Sequence, residues 1–131
     1  MAAPSQPGAE GRRLPRERRI AHGAEIRDIL RRGKRSGTAH LDVFDSPSPV
    51  PHPRVGVIVP RYRHSIVERN LVKRRLREVL RLEVLPRLAS ADVAADVLVR
   101  AKRDAYGTAY GDLRDELVRW TEKRCSRARS S

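Results

Sequence analysis

The amino-acid sequence predicts a small α+β fold, a two-layer sandwich in which helices pack on a central sheet. Apolar residues recur with a period of two in some segments and near 3.6 in others, which is typical of strands and of amphipathic helices. The order of these segments is helix, strand, strand, helix, strand, helix. A chain of 131 residues can bury one modest core and is too short for two domains.

The predicted domain covers residues 12–123 and lies between two tails. Residues 1–11 are rich in Ala, Pro, Ser and Gly without periodicity, so we expect a disordered tail. The first helix of the domain covers Ala24–Arg32, and Gly33 is expected to end it in a left-handed conformation. The apolar side of this helix consists of Ile26, Ile29 and Leu30.

Three segments have the pattern of strands. Residues 39–45 alternate between apolar and polar side chains, and the proline-rich residues 46–53 that follow predict a loop. Residues 54–59, with the sequence RVGVIV, are apolar at successive positions, which predicts a central strand covered on both faces. The third strand covers residues 96–101. Because a helix separates it from residues 54–59, these two strands can pair in parallel through a crossover.

The segment from Ser65 to Leu85 predicts a long amphipathic helix. Ser65 and Glu68 have the spacing of a capping box, so the helix should begin near Ile66, and Pro86 should end it. At about 100° per residue, one stripe of this helix is apolar and the opposite side is cationic. The apolar stripe consists of Val72, Leu76, Val79 and Leu80. The opposite side consists of Asn70, Lys73, Arg74, Arg77 and Arg81.

The remainder of the chain predicts a connector, the third strand and a C-terminal helix. The connector covers residues 87–95. Apolar residues then recur at the helical spacing i, i+3, i+7 and i+10. These residues are Tyr110, Leu113, Leu117 and Trp120. Their side of the helix should close the sheet, and residues 124–131 should form a frayed basic tail.

The charge balance indicates a polyanionic partner. Lys and Arg number 29 against 16 Asp and Glu, which gives a formal net charge of +13. Between Asn70 and Leu82 the only acid is Glu78, so the cations of the long helix lack partners for i, i+4 pairs. A solvated helix surface is the plain alternative, but mutually repelling cations favour a phosphate-rich partner. An anionic membrane surface is the second choice. Because the chain has no long apolar segment, signal peptide or lipidation motif, we expect a soluble cytoplasmic protein.

No catalytic or metal-binding residue is predicted in the protein itself. The single Cys125 has no zinc-ligand spacing around it, and the four histidines are scattered. The acids form no legible carboxylate cluster, and no glycine-rich phosphate-binding loop occurs. If the protein takes part in catalysis, another component holds the reacting atoms. Aromatic residues make up 4% of the chain, which favours phosphate recognition by cations over a stacking platform of many aromatic residues.

Residues 54–80 have the sequence RVGVIVPRYRHSIVERNLVKRRLREVL, which resembles the signature of the bacterial ribonuclease P protein subunit. That signature consists of R-V-G, a basic loop, and then R-N-R-x-K-R-x-x-R on a helix. The matching positions are Arg69, Asn70, Lys73, Arg74 and Arg77. The segments EIRDILRRG and DVLVRAK fit on either side, so the resemblance covers about residues 14–123.

The resemblance implies a protein that is not catalytic by itself and that acts with a large RNA. Together they remove the 5′ leader of precursor tRNA by magnesium-dependent hydrolysis, and the RNA holds the magnesium ions. The expected partners are therefore the catalytic RNA and precursor tRNA, with no DNA and no membrane. The implied fold is that of the second domain of ribosomal protein S5, with a left-handed crossover around the long helix that departs from the usual right-handed rule.

The resemblance also implies two binding surfaces. The basic side of the long helix and the loop before it would face the catalytic RNA. A cleft between the first helix and the sheet would hold the single-stranded leader. The residues expected to bind RNA are Arg61, Arg69, Asn70, Lys73, Arg74, Arg77 and Arg81. The residues expected to line the leader cleft are Ile26, Leu30 and Phe44.

Several positions depart from the family pattern. Leu71 replaces the second arginine of the motif, so we expect that this RNA contact is lost or moves to Arg75. The two cleft residues of the first helix occupy positions that are commonly aromatic, which leaves Phe44 as the main aromatic candidate. The loop before the long helix carries Tyr62 and His64 where lysine and glycine are common.

Two other functions remain open from the sequence. A structural RNA-binding protein of ribosomal type, without a role in cleavage, would have the same charge and a similar small sandwich. A duplex DNA-binding protein would use the same basic helix and would bind plain DNA with comparable affinity at matched salt.

Overall fold

The computed structural model describes residues 14–130, which form a four-stranded mixed sheet with helices on both faces. The helices are α1 (Gly23–Arg32), α2 (Ile66–Val79), α3 (Leu85–Ser90) and α4 (Tyr110–Ser130). The strands are β1 (Lys34–Gly37), β2 (Leu41–Pro47), β3 (Arg54–Ile58) and β4 (Ala95–Ala101). Short 3₁₀ turns cover Arg16–Arg18 and Arg103–Ala105, and a π-helical turn covers Leu80–Val84. The α+β class and the predicted element order are confirmed, with one strand added. The tail predicted to be disordered, residues 1–11, lies outside the described residues.

The strands follow the spatial order β1-β2-β4-β3. β2 pairs antiparallel with both β1 and β4, whereas β3 pairs parallel with β4. The chain between β3 and β4 passes through α2, the π-helical turn and α3, so the predicted parallel pair with a helical crossover is confirmed. The added strand, β1, has the sequence KRSG, which lacks the apolar alternation that would have identified it.

The structure corrects the prediction that β3 is a central strand, because it lies at an edge of the sheet. Its apolar composition has a different cause. The segment before α1 covers this edge, where the Ile20 amide donates to the Val55 carbonyl at 2.9 Å and Arg19 forms a parallel bridge with Val55. Gly56 allows the close approach, since a Cβ there would lie 3.3 Å from the Cβ of Ile20 and 3.0 Å from Cδ1 of Leu98.

The long helix begins as predicted but does not end at Pro86. The Glu68 amide donates to the Ser65 hydroxyl at 3.1 Å, and the Ser65 amide donates to the Glu68 carboxylate at 2.8 Å, which completes the capping box. A proline inside an α-helix clashes with the carbonyl four residues earlier. Pro86 avoids this because it lies in the first turn of α3, directly after the π-helical turn Leu80–Val84 has interrupted the regular hydrogen-bond ladder. The predicted connector is therefore partly helical.

Gly33 ends α1 in an extended conformation rather than the left-handed one that was predicted. Its φ is −69° and its ψ is 152°, and its amide donates to the Ile29 carbonyl at 2.7 Å. The chain enters β1 directly, so no left-handed turn is needed. Glycine is required here for space, because a Cβ would lie 2.6 Å from the Ile29 carbonyl oxygen.

The C-terminal residues predicted to fray are helical, since α4 continues through Ser130. Two contacts hold this part of the helix against the domain. Arg124 Nε donates to Asp45 Oδ2 of β2 at 2.7 Å. Cys125 is 5% exposed and belongs to the main core. The prediction of a frayed tail was wrong because single-sequence periodicity does not reveal contacts to distant strands.

The sheet separates two apolar clusters. Neighbouring residues of a strand point to opposite faces, so Val43 and Phe44 of β2 contribute to different clusters. The larger cluster lies under α2 and α4 and contains both predicted helical stripes. Its members include Val72, Leu76, Val79, Leu80, Leu113, Leu117 and Trp120. The smaller cluster lies between α1 and the sheet and consists of Ile20, Ile29, Phe44 and Leu98. Burial of the stripe of α2 fixes which side of that helix faces outward.

Candidate nucleic-acid interface

The outward side of α2 carries a row of side chains that we call the cationic face, consisting of Asn70, Lys73, Arg74 and Arg77. Asn70, Arg74 and Arg77 are exposed and Lys73 is half-buried. Within residues 14–130, no carboxylate lies within ion-pair distance of Lys73, Arg74 or Arg77. The structure therefore brings these predicted residues together on one surface and leaves their charges without counter-ions from the described chain.

The charges of this face act on one another. The pKa of Lys73 is lowered, first by burial of its amine and then by repulsion from Arg69 and Arg77. These three residues are spaced at i, i+4 and i+8, so they follow one side of the helix. A phosphate placed near them would relieve both the lost solvation and the repulsion. The geometry is therefore suited to an anion that contacts several turns of α2.

Arg69 and Arg61 extend the positive surface toward the N-terminus of α2. Arg69 is half-buried, and its Nε donates to the Val59 carbonyl at 2.8 Å, which fixes the start of α2 against the end of β3. Arg61 is exposed, and its Nε reaches the His64 carbonyl at 3.5 Å. Both guanidinium groups keep further N–H donors beyond these single bonds, because each group has five.

Arg81 differs from the other predicted RNA-binding residues. Its guanidinium donates to Glu78 at 2.8 Å, and its side chain is 18% exposed. Its Nε is buried without a hydrogen-bond partner among the described residues. Because Glu78 already compensates this charge, Arg81 lies in a different electrostatic environment from the cationic face, and its contact with RNA stays a prediction.

Leu71 occupies the motif position where the family has arginine, and Arg75 is the residue to which the missing RNA contact was expected to move. Leu71 is 38% exposed, so the motif position presents an apolar side chain at the surface. Arg75 is half-buried and donates to the Thr108 carbonyl at 3.0 Å. Arg75 therefore holds the loop before α4, and a transfer of the missing contact to this residue would require that bond to be given up.

The three residues expected to line a leader cleft lie together between α1 and the sheet. Ile26 and Leu30 are half-buried and pack against the smaller cluster. Phe44 is 4% exposed, and the guanidinium of Arg100 lies over its ring at 5.1 Å from the ring centre. Phe44 therefore stays the aromatic candidate of the predicted cleft, and in this structure its ring belongs to the smaller cluster, with Arg100 over it.

The margin of this cluster contains a second set of cations, and these are paired. Arg54 of β3 donates twice to Asp96 of β4, at 2.9 and 2.7 Å, and once to Glu25 of α1 at 3.1 Å. The Asp96 hydrogen bonds are the main reason that the pKa of Arg54 is raised. Asp42 in turn lies within 3.4 Å of Arg35 and 3.2 Å of Arg100. These contacts tie α1 and the strands together.

Sequence reasoning missed a group of rings at the start of α2. The His64 and Tyr106 rings are stacked, with centroids 3.8 Å apart and planes at 4°, and Tyr62 contacts Tyr106 edge-on at 6.4 Å. The Arg103 guanidinium lies over the Tyr62 ring at 4.7 Å. Tyr62 and His64 were visible as departures from the motif. Tyr106 lies beyond β4 in the chain, so no local pattern connects it with them.

The described part of the chain contains neither a cluster of metal-ligating side chains nor a membrane-spanning helix. Among residues 14–130, no three His, Cys, Asp or Glu side chains lie together in an arrangement that could hold a metal ion. No helix in this part is long and apolar enough to cross a membrane.

Comparisons with known proteins agree with the resemblance in the motif. The sequence model of the family described as Ribonuclease P matches residues 14–124. The ribonuclease P protein component of Micrococcus luteus is 40% identical over 115 residues, which cover 80% of this chain and 86% of that protein. The corresponding protein of Acidothermus cellulolyticus is 32% identical over 108 residues, covering 81% and 87%.

Solved structures with the same fold include two ribonuclease P proteins. The protein from Staphylococcus aureus superposes with a TM-score of 0.68 at 23% identity, covering 82% of this chain and 94% of that chain. The protein from Thermotoga maritima, solved in complex with 1-(4-fluorophenyl)-2-thiourea, gives a TM-score of 0.67 at 18% identity, covering 79% and 97%. At these identities the structural likeness concerns the fold alone.

Proposed function

This chain belongs to the ribonuclease P protein family, and from that premise we propose that it binds the catalytic RNA through the cationic face of α2 and assists removal of the 5′ leader from precursor tRNA. The observation that carries the proposal is the set of three cations, Lys73, Arg74 and Arg77, on one side of a capped helix with no acid partner among the described residues. An RNA backbone supplies the missing negative charges in a continuous row.

The proposed contacts with the catalytic RNA extend along α2. Arg61 and Arg69 approach phosphates near the N-terminus of the helix, and Asn70 supplies an amide that can both donate and accept hydrogen bonds. Arginine binds phosphate through two parallel N–H donors, whereas Lys73 acts as a point charge. Arg81 joins the interface if Glu78 releases it. Phosphate contacts of this kind position the RNA without reading its sequence.

The leader is assigned to the cleft beside α1. Ile26 and Leu30 offer a half-buried apolar surface there, and Phe44 supports that surface from beneath. Ile26 and Leu30 offer no hydrogen-bonding group to the edge of a base, so we expect weak preference for the leader sequence.

Magnesium belongs to the RNA in this proposal. A bound magnesium ion activates water and stabilises developing charge at the scissile phosphate. The protein residues perform a separate task, which is to neutralise nearby phosphates and so lower the repulsion between the two RNAs. The protein should therefore reduce the magnesium concentration that leader removal requires.

A reconstitution tests the proposal. The catalytic RNA of the same organism is assayed for leader removal over a magnesium titration, alone and with the full-length protein. We expect the protein to shift the midpoint of the titration to lower magnesium. A control variant, Arg114→Ala, removes an exposed arginine of α4 whose charge is paired with Asp115, and should act like the unaltered protein. An unchanged midpoint with the unaltered protein would contradict the proposal.

A further inference from the structure

The turn before α2 contains an unusual backbone that fixes two aromatic side chains. The His64 amide donates to the Arg61 carbonyl at 2.7 Å, which closes the turn, and its central residues Tyr62 and Arg63 have φ values of 48° and 71°. Positive φ at two successive positions is typical of turns that use glycine or asparagine. Residues with large side chains are strained in this region of backbone conformation. A functional need for these side chains in these positions would explain why the backbone strain is tolerated.

The tyrosine rings near this turn are anchored at both hydroxyl groups. The Tyr62 hydroxyl donates to the Ala101 carbonyl at 3.3 Å, and the Tyr106 hydroxyl donates to the Pro60 carbonyl at 2.7 Å. The first bond holds the turn to the end of β4, and the second holds Tyr106 to Pro60, two residues after β3. The His64 ring is then stacked on Tyr106 without being required for either anchor.

His64 is one of three half-buried rings in this group. One of its faces is covered by Tyr106, and its Nδ1 lies 3.3 Å from the Glu68 carboxylate. Its side chain is 36% exposed. A flat ring held rigidly at the surface by a second ring loses little conformational freedom when another flat group stacks on it. Such a surface suits a nucleobase, because every base has a π-face.

The surroundings of the ring add positive charge. Arg61, Arg63 and Arg103 are exposed next to this turn. Arg61 and Arg69 both lie close enough to influence the phenol of Tyr106. Because α2 starts directly after His64, the rings stand at the N-terminal end of the cationic face. A strand whose phosphates follow that face can place a base on the ring.

We propose that Tyr62, His64 and Tyr106 form a stacking platform for one unpaired RNA base, with the base on the outer face of His64 and its flanking phosphates near Arg61, Arg63 and Arg103. This inference rests on the proposed RNA binding and adds a base-contacting site to a surface otherwise made for phosphates. The site is separate from the cleft beside α1. Base–aromatic stacking of this kind is tolerant of sequence.

The test separates base contacts from phosphate contacts. The full-length protein is titrated at fixed salt with a short oligoadenylate and with an oligomer of equal length that carries stable abasic residues in place of adenosine. His64→Ala should weaken oligoadenylate binding about fivefold or more and leave abasic binding unchanged. His64→Phe, which restores an aromatic ring without charge, should return the affinity for oligoadenylate. His52→Ala, in the loop before β3, is the matched histidine control and should alter neither affinity.

The other possible results of these titrations would contradict the proposed stacking platform. Equal losses on both oligomers for His64→Ala, or no loss on either, would overturn the stacking platform while leaving phosphate binding intact. Loss that His64→Phe does not restore would also overturn it, since it would assign the effect to charge. If the unaltered protein binds neither oligomer, the stacking platform is overturned, whereas binding of the catalytic RNA is decided by the magnesium titration. Thermal melting of each variant shows whether the fold is retained.

Discussion

The paired cations of the sheet and the cationic face of α2 use the same residue types for different purposes. Arg54 is 11% exposed and donates to two carboxylates, and Arg100 shares Asp42 with Arg35. Lys73, Arg74 and Arg77 have no such partner in the described chain. The net charge therefore indicates that the protein binds a polyanion, and the positions of the acids indicate which surface the polyanion contacts. The two acids of α2 are bound elsewhere, Glu68 by the Ser65 amide and Glu78 by Arg81.

The two sets should respond differently to substitution. Removing one member of a buried ion pair leaves the other charge buried and uncompensated, which destabilises the fold. Removing an exposed cation without a partner leaves the fold intact and takes away one phosphate contact. Substitutions in the sheet should therefore alter the free energy of unfolding, and substitutions in the cationic face should alter RNA affinity and its dependence on salt.

The largest effect is expected for Arg54→Ala. This change leaves Asp96, with a side chain 4% exposed, without its main partner, and it also releases Glu25 of α1. We expect the free energy of unfolding to fall by roughly 3–5 kcal/mol, measured by urea denaturation. Binding of RNA by the fraction that remains folded should be unchanged. A variant that keeps full stability but loses RNA affinity would place Arg54 in the RNA interface. It would contradict the distinction between the paired cations of the sheet and the cationic face.

Phe44→Ala should have an effect of similar size on stability. The ring is 4% exposed, and its removal leaves a cavity between α1 and the sheet and takes away the surface on which Arg100 lies, so we expect a loss of roughly 3–5 kcal/mol. Phe44→Leu keeps most of the volume and should lose less than about 1.5 kcal/mol. The measurement is thermal or urea unfolding.

Leader binding tests the same residue in a second way. If Phe44 contacts the leader directly, folded Phe44→Leu protein should bind precursor tRNA more weakly while mature tRNA is bound as before. Equal affinities for both RNAs, compared with the unaltered protein, would limit Phe44 to support of the fold.

Local patterns were sufficient to predict the helix that carries the cationic face. The capping box, the apolar stripe and the absence of nearby acids lie within a single segment, so one sequence contains all the information that positions Lys73, Arg74 and Arg77. The parallel pairing of β3 with β4 followed from the helix between them. The features of the helix depend on residues a few positions apart, and the strand pairing depends on the order of the elements along the chain.

The features that escaped prediction depend on distant contacts. β1 is a strand because β2 offers it a partner, and the end of α4 is helical because Asp45 binds Arg124. The stack of His64 on Tyr106 joins two loops on either side of α2 and β4. In each case a tertiary contact overrides the local sequence pattern. The periodicity of a single sequence gives no information about such contacts.

A smaller effect, on affinity alone, is expected for Lys73→Ala. The substitution removes one phosphate contact and the counter-ion that the contact releases, so the slope of log affinity against log salt should fall by about one unit. The melting temperature should change little, because the amine has no ion-pair partner in the described structure. Binding is measured with the catalytic RNA over a series of salt concentrations. An unchanged slope would mean that Lys73 faces water in the complex.

The smallest effect should come from Arg31→Ala. Comparing it with Arg77→Ala tests whether a neighbouring acid determines how much an arginine contributes to RNA binding. Both residues are exposed arginines on helices, so the two substitutions remove the same charge. Arg31 lies on α1, 3.1 Å from Asp28, a carboxylate that Arg32 also binds at 2.6 Å. Arg77 has no such partner among residues 14–130. Because a carboxylate lies beside Arg31 and none lies beside Arg77, removal of Arg31 should change the salt slope less than the reduction of about one unit expected for Arg77→Ala. Equal slopes for the two variants would show that RNA responds to the total charge of the protein and not to the placement of its acids.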